Sequence, residues 1–361
     1  MNALAFDLSA NHLYQESYVH GKRSLQVALE GIHSVAEKED NKLVNNLYIL
    51  YKDYLVLPEE QHDIIYPENI KDVLNENRYL LKQIYNIPEN DDAYIVKNLW
   101  EQMLKTRGNI PWYFIEDPAT RKNNSQYAVY YGEITYLLRK YYYGENDSRT
   151  VQSYHNTGAY LLKYAEYCSK EEITDTTLNL EEAFSSAEDI FFNAFKMRKR
   201  ILGESQDINK ENYLQELRET SAVVEPGFLE IYSWEDIEQC YDEELSGFNP
   251  PALESLQYQS YACYLLATVQ EDEDEKNKFL EKAISLSDKV VIGRSMVLGP
   301  CHRKTLESLR YGAEYYWKYG KNDEARKRIQ YAFRHLNNNR ISNDQIEEYR
   351  DLLKNITDDD Q

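Results

Sequence analysis

The stretch Val297 to Ala332, VLGPCHRKTLESLRYGAEYYWKYGKNDEARKRIQYA, decides the fold class. Its small and apolar residues return at helical spacing: Leu309, Gly312, Ala313 and Tyr316 in one run, then Ala325, Ile329 and Ala332 in a second. Tyr319-Gly320-Lys321-Asn322 between them reads as a turn. Upstream, Leu298-Gly299-Pro300 ends a preceding helix. Thr305 is placed to cap or open the next one, with Glu307 near the positive end of its dipole. The adjacent Cys301 and His302 invite a reading as nucleophile and base, or as half a metal site. Neighbouring side chains on an extended segment point apart, so the pair is assigned to the joint between helices.

Working outward, the same period fills the chain. Leu43, Leu47, Leu50, Tyr51 and Tyr54 fall on one helical face, and further helices are expected over 93–106, 126–143, 151–167, 180–202, 253–269, 276–297, 305–319, 323–337 and 344–356. Glycine and proline number only 13 and 9 in 361 residues. Pro58, Pro67, Pro88, Pro111, Pro118, Pro226-Gly227 and Pro250-Pro251 each read as a break between helices. Long strand-like alternation is absent, so the expected class is all-α. Glu271 to Glu275 and the closing Asp358 to Asp360 read as solvated turn and tail.

Two further segments repeat the pattern of small and large residues. One pairs Tyr154, Gly158 and Leu161 with Ala187, Phe191 and Ala194; a weaker copy runs through Tyr258, Tyr261, Ala262 and Leu265 to Leu280 and Ala283. These stretches resemble tetratricopeptide repeats, helical hairpins of about 34 residues whose small residues let paired helices approach closely. The joints at Ala194 to Glu204 and Val297 to Leu306 are similar to those of kinesin-light-chain-type repeats, with two departures: no proline follows His302, and glycine occupies position 312. The resemblance implies an α-α superhelix, a TPR-like solenoid of antiparallel helical hairpins. It divides the chain into a divergent helical repeat region over 1–150, TPR-like repeats over 151–340 with an acidic insertion around 225–275, and a C-terminal helix and acidic tail over 341–361.

Charge and composition narrow the function classes. The net charge of -21 repels phosphate backbones, which argues against nucleic acid as a ligand. The charge is also unevenly placed. From Glu225 to Glu275 there are 14 acidic residues and no Lys or Arg, whereas Cys301 to Arg340 carries 10 basic against 4 acidic residues. This asymmetry suits a basic partner for the acidic stretch, or self-association. No apolar run approaches the ~20 residues of a membrane span, so no membrane insertion is expected. The amino terminus has no basic start followed by an apolar core, and the four cysteines are far apart; a cytoplasmic protein with free thiols is expected. The 33 tyrosines serve as helix packing or as aromatic contacts along a groove.

No catalytic or metal-binding constellation emerges. The seven histidines show no HExxH and no pair at i, i+4 backed by a carboxylate, and Gly21-Lys22 lacks the upstream glycine of a phosphate loop. No cofactor is expected, and the expected protein is not an enzyme, with an unrecognised site in the first 150 residues as the alternative. The resemblance points instead to a protein-interaction scaffold or adaptor that binds a peptide or partner protein, a basic one included, in a concave groove. By the same resemblance, the groove positions are Asn46, Gln152, His155, Asn156 and Lys163, and in the last repeat Arg310, Tyr311, Glu314 and Lys318.

Overall fold

A chain poor in glycine and rich in helical spacing leaves little room for anything but helix. The computed structural model describes residues 14–39, 42–54, 67–91, 93–170, 178–202, 215, 227–244, 249–336 and 343–358, and among these no strand occurs. The helices are α1 (Tyr14–Glu39), α2 (Lys42–Tyr54), α3 (Pro67–Glu76), α4 (Arg78–Tyr85), α5 (Tyr94–Arg107), α6 (Ile110–Glu116), α7 (Pro118–Tyr143) and α8 (Ser148–Ser169). They continue as α9 (Leu180–Leu202), α10 (Trp234–Glu244), α11 (Pro250–Val269), α12 (Glu273–Leu298), α13 (Arg303–Lys318), α14 (Asn322–His335) and α15 (Asn343–Asp358). Pro67, Pro118 and Pro250 head helices, where a fixed φ and a missing N–H cost nothing. The run Glu271 to Glu275 is only partly a turn. Asp272 caps α12 by accepting from the amides of Asp274 and Glu275, so Glu273, Asp274 and Glu275 form the helix's first turn, at the positive end of its dipole. The expected tail at 359–361, residues 245–248 of the acidic insertion and the Gly203-Glu204 end of one joint lie outside the described residues.

The chain divides into two compact units, Met1–Leu178 and Asn179–Gln361. In the first, α1 packs on α5, α2 and α6, and α7 packs on α6, α8, α3 and α4. Trp100, Phe114, Ala128, Tyr131 and Leu138 lie in its core. In the second, α9 packs on α11, and from α11 to α15 each helix packs on the next. Alternate helices also touch there, α11 on α13 and α13 on α15, while α10 lies against α12. The small residues of the opening stretch do what their size allows: Leu309, Ala313, Ala325, Ile329 and Ala332 are fully buried. Gly312 sits where a Cβ would come within 3.0 Å of Ser287 Oγ on α12, so the α12–α13 approach depends on its missing side chain. Within the first unit α8 packs on α7 and α6, and within the second α9 packs on α11.

The structure also carries a repeated joint. Arg139 on α7 donates from Nη1 to the Arg149 carbonyl (3.2 Å) and to Ser153 Oγ (2.8 Å) on α8. Arg198 on α9 does the same to the Pro251 carbonyl (2.5 Å) and Ser255 Oγ (2.8 Å) on α11. Arg294 on α12 repeats it on α13, with the Lys304 carbonyl at 2.9 Å and Ser308 Oγ at 2.6 Å. Each arginine is followed five residues later by a glycine, Gly144, Gly203 or Gly299. Gly144 and Gly299 have φ of 99° and 97°, the conformation that ends the helix. Six residues before each serine stands an N-cap, Asp147, Asn249 or His302, whose side chain accepts a backbone N–H of the first turn. His302 therefore caps α13, and Thr305 is a buried first-turn residue whose hydroxyl donates to the Gly299 carbonyl at 2.9 Å. An alanine precedes each arginine by eleven residues, Ala128, Ala187 and Ala283, all fully buried. Eleven residues after the equivalent Ala325 of α14 comes the buried Leu336, so the last joint has no such guanidinium.

Candidate functional site

In the second unit α13 lies between α11 and α15. Residues three and four apart share a helical face, which puts Glu254, Tyr258 and Tyr261 on one side of α11 and Glu307, Tyr311 and Glu314 on one side of α13. The two sides meet. The Tyr261 ring lies 5.8 Å from that of Tyr311, and Tyr264 stacks on Tyr315 at 4.8 Å while donating its hydroxyl to Glu314 at 3.0 Å. Arg310 is at the centre. Its guanidinium lies 4.3 Å from the Tyr311 ring and 5.9 Å from that of Tyr349 on α15, with Glu314 at 3.9 Å and Glu348 at 3.7 Å. Burial on its own would lower the Arg310 pKa, but Tyr311, Glu348, Glu314 and Tyr349 hold it above its ordinary value. Burial raises the Tyr311 pKa, which keeps its hydroxyl a proton donor. Arg294 is buried nearby, close enough for its charge to be felt by Glu307, Glu254, Tyr311 and Tyr258. The result is a cluster of phenol rings and carboxylates around its own cation; Tyr264, Tyr315 and Tyr349 are buried within it, and Glu348 is exposed at its edge, where it can pair with a positive side chain.

A second polar feature is a cleft of about 530 Å³ lined by Tyr232, Glu281, Asp288, Lys289, Tyr316, Tyr319, Lys321, Glu324 and Arg328 among others. Asp288 accepts hydrogen bonds from the hydroxyls of Tyr232 (2.7 Å) and Tyr316 (2.7 Å) and from Arg328 Nη2 (3.2 Å). The Arg328 guanidinium lies 3.9 Å from the Tyr316 ring. These contacts tie α12, α13, α14 and the turn before α10 together around one ion pair.

The expected site residues separate into groups. Arg310, Tyr311 and Glu314 come together on the face just described, while Lys318, a turn further on, is exposed with its amine 3.9 Å from the Trp317 ring. In the first unit Gln152 Nε2 donates to Asn156 Oδ1 at 2.7 Å, and Lys163 is paired with Glu116 of α6. His155 is buried, because i, i+4, i+8 spacing aligns it with Val151 and Ala159 on the inner side of α8. Asn46 is exposed on α2, a helix that does not carry the others. Tyr264, Glu348 and Tyr349 complete the α11–α13–α15 face without having been singled out by sequence. For α11 the signal was the spacing of Glu254, Tyr258, Tyr261 and Tyr264; for α15 only packing reveals it. Among the described residues no group of three or more His, Cys, Asp or Glu side chains is placed to hold a metal ion, and no helix is long and apolar enough to cross a membrane. No family model matches the chain, and no curated protein matches it.

Proposed function

We propose that the chain is a cytoplasmic helical-repeat scaffold, built as a tetratricopeptide-like solenoid, that holds a basic peptide or a basic surface of a partner protein on the α11–α13–α15 face. The observation that carries this reading is the seating of Arg310 among Tyr311, Tyr349, Glu314 and Glu348, an internal example of the cation this surface accepts. The three matching Arg-to-Ser joints support the repeat reading, since successive joints of one design are the mark of stacked repeats. A binding role also fits the polar cleft better than catalysis does, since Asp288 already accepts hydrogen bonds from three donors of the protein itself.

The test is fluorescence anisotropy with labelled Lys/Arg-rich, neutral and Asp/Glu-rich peptides of equal length. The basic peptide should bind more tightly than the neutral one at the face. Glu307→Gln and Glu348→Gln together should weaken it, with a steep fall in affinity between 0.05 and about 0.15 M salt, where exposed charges are screened over ~8 Å. Equal binding of basic and neutral peptides, or affinity untouched by the double substitution, removes this face as the site.

A further inference from the structure

In a chain of net charge -21, the first unit holds two adjoining clefts whose walls are cationic. One, of about 730 Å³, is lined by Arg78, Lys82 and Lys140 against a single carboxylate, Glu145. The other, also about 730 Å³, is lined by Lys105, Arg139 and Arg149 against a single carboxylate, Glu101. Tyr143 lines both. That ring is part of an aromatic cluster. Tyr85 meets Tyr142 at 5.3 Å and Tyr143 at 6.1 Å, both edge-on, and the Arg149 guanidinium lies 3.5 Å from the Tyr143 ring. Lys97 sits 5.4 Å from the Tyr85 ring.

The cations are not committed equally. Lys140 is paired with Glu145 and Arg149 with Asp147, whereas Arg78, Lys82 and Lys105 are exposed and have no carboxylate partner among the described residues. Amide side chains, Asn75 and Asn86 in one cleft and Gln102 and Gln152 in the other, add groups able to bond a peptide backbone.

We propose that these paired clefts are a docking surface for an acidic peptide segment of a partner protein, laid across Tyr143 with its carboxylates toward Arg78, Lys82 and Lys105. Two adjoining clefts suit an extended chain better than a compact small anion. A nucleic acid is disfavoured because its dense charge meets the field of the whole molecule, which at -21 repels a polyanion, while a short acidic segment answers chiefly to the local cations. The surface is separate from the α11–α13–α15 face and of opposite sign, so the chain would join an acidic partner to a basic one.

The experiment uses the full chain and a fluorescein-labelled peptide rich in Asp and Glu, read by anisotropy. Arg78→Glu with Lys82→Glu reverses two exposed charges. This variant should lose about tenfold or more in affinity for the acidic peptide, from two lost attractions and two added repulsions. Lys354→Glu, an exposed cation on α15, should change affinity for the acidic peptide less than about twofold, and binding of a basic peptide should be unaffected by the Arg78/Lys82 double variant. Failure of the acidic peptide to bind overturns the proposal. So does affinity unchanged in the double variant, or single-stranded nucleic acid or inorganic polyphosphate bound as tightly as the peptide. Because the basic-peptide arm is read on the same samples, failure here and failure of the α11–α13–α15 reading are told apart.

Discussion

The Arg294 joint allows a quantitative test of what holds successive helices together. Arg294 is buried, and burial lowers its pKa, so its charge is held at a cost that two acceptors on α13 must offset. A hydrogen bond to a charged group contributes about 1.5–3 kcal/mol, so Ser308→Ala in the native background should cost about 2 kcal/mol. In an Arg294→Met background the serine has only its bond to the Lys304 carbonyl of its own helix, at 2.9 Å. Losing that neutral bond costs about 0.5–1 kcal/mol, which leaves a coupling energy of about 1–1.5 kcal/mol between the two positions. Arg294→Met alone should cost less than the sum of its two bonds, since methionine also removes the buried charge. The assay is a double-mutant cycle by urea denaturation followed by far-ultraviolet circular dichroism, with both residues inside the 179–361 unit. The same cycles at Arg139 with Ser153 and at Arg198 with Ser255 should return couplings of the same sign and size. A coupling below about 0.5 kcal/mol, within ordinary additivity, would refute the assignment of these bonds as a shared structural device.

Other outcomes follow from single contacts. At Gly132 a Cβ would lie 2.6 Å from a Tyr160 ring carbon, so Gly132→Ala should destabilise by about 1–3 kcal/mol despite alanine's better helix propensity; a rise in melting temperature would contradict the packing. Gly299→Ala puts a Cβ into open space at φ 97° and should cost about 1–2 kcal/mol from backbone strain alone, measured by thermal melting. Burial raises the pKa values of Tyr142, Tyr232, Tyr315, Tyr316 and Tyr349 above the ordinary 10.0. A raised folded value means that their stabilising contribution is complete below pH ~10 and is lost as pH rises beyond it. The urea midpoint should therefore fall as pH rises above about 10; a midpoint that does not change between about pH 10 and 11 would refute this. Cys240 and Cys263 are buried, and burial pushes the Cys263 thiol up to about 12, so a thiol reagent at pH 8 should modify Cys168 and Cys301 first and the other two only on unfolding.

Several helices were legible at nearly their observed bounds. The expected 180–202 matches α9, and 93–106, 276–297, 305–319 and 323–337 fall within a few residues of α5, α12, α13 and α14. Tyr14–Glu39 mixes histidine, lysine and serine among its apolar positions and went unread, whereas the breaks read at Pro67, Pro118 and Pro250 do fall between helices, each at the start of the next one. Periodicity says which side of a helix is buried and not which helix covers it, so the packing of α8 on α6 and α7 and of α9 on α11 needed the structure. The same helical phase that placed Tyr311 and Glu314 together should have placed His155 inside with Val151 and Ala159. The Arg-to-Ser joint was legible as an arginine five residues before a glycine and a serine six after a cap, but its meaning needed the two helices in contact.

The arginine and its serine are 14 residues apart in two of the joints and 57 apart in the third. The middle joint thus carries 43 more residues, α10 among them, between the same two ends without loss of either hydrogen bond. The guanidinium makes the helix-to-helix geometry independent of what the chain does in between. Such a joint works as a grafting point: new segments can be added there, by gene rearrangement or by an engineer, while the frame around them keeps its shape.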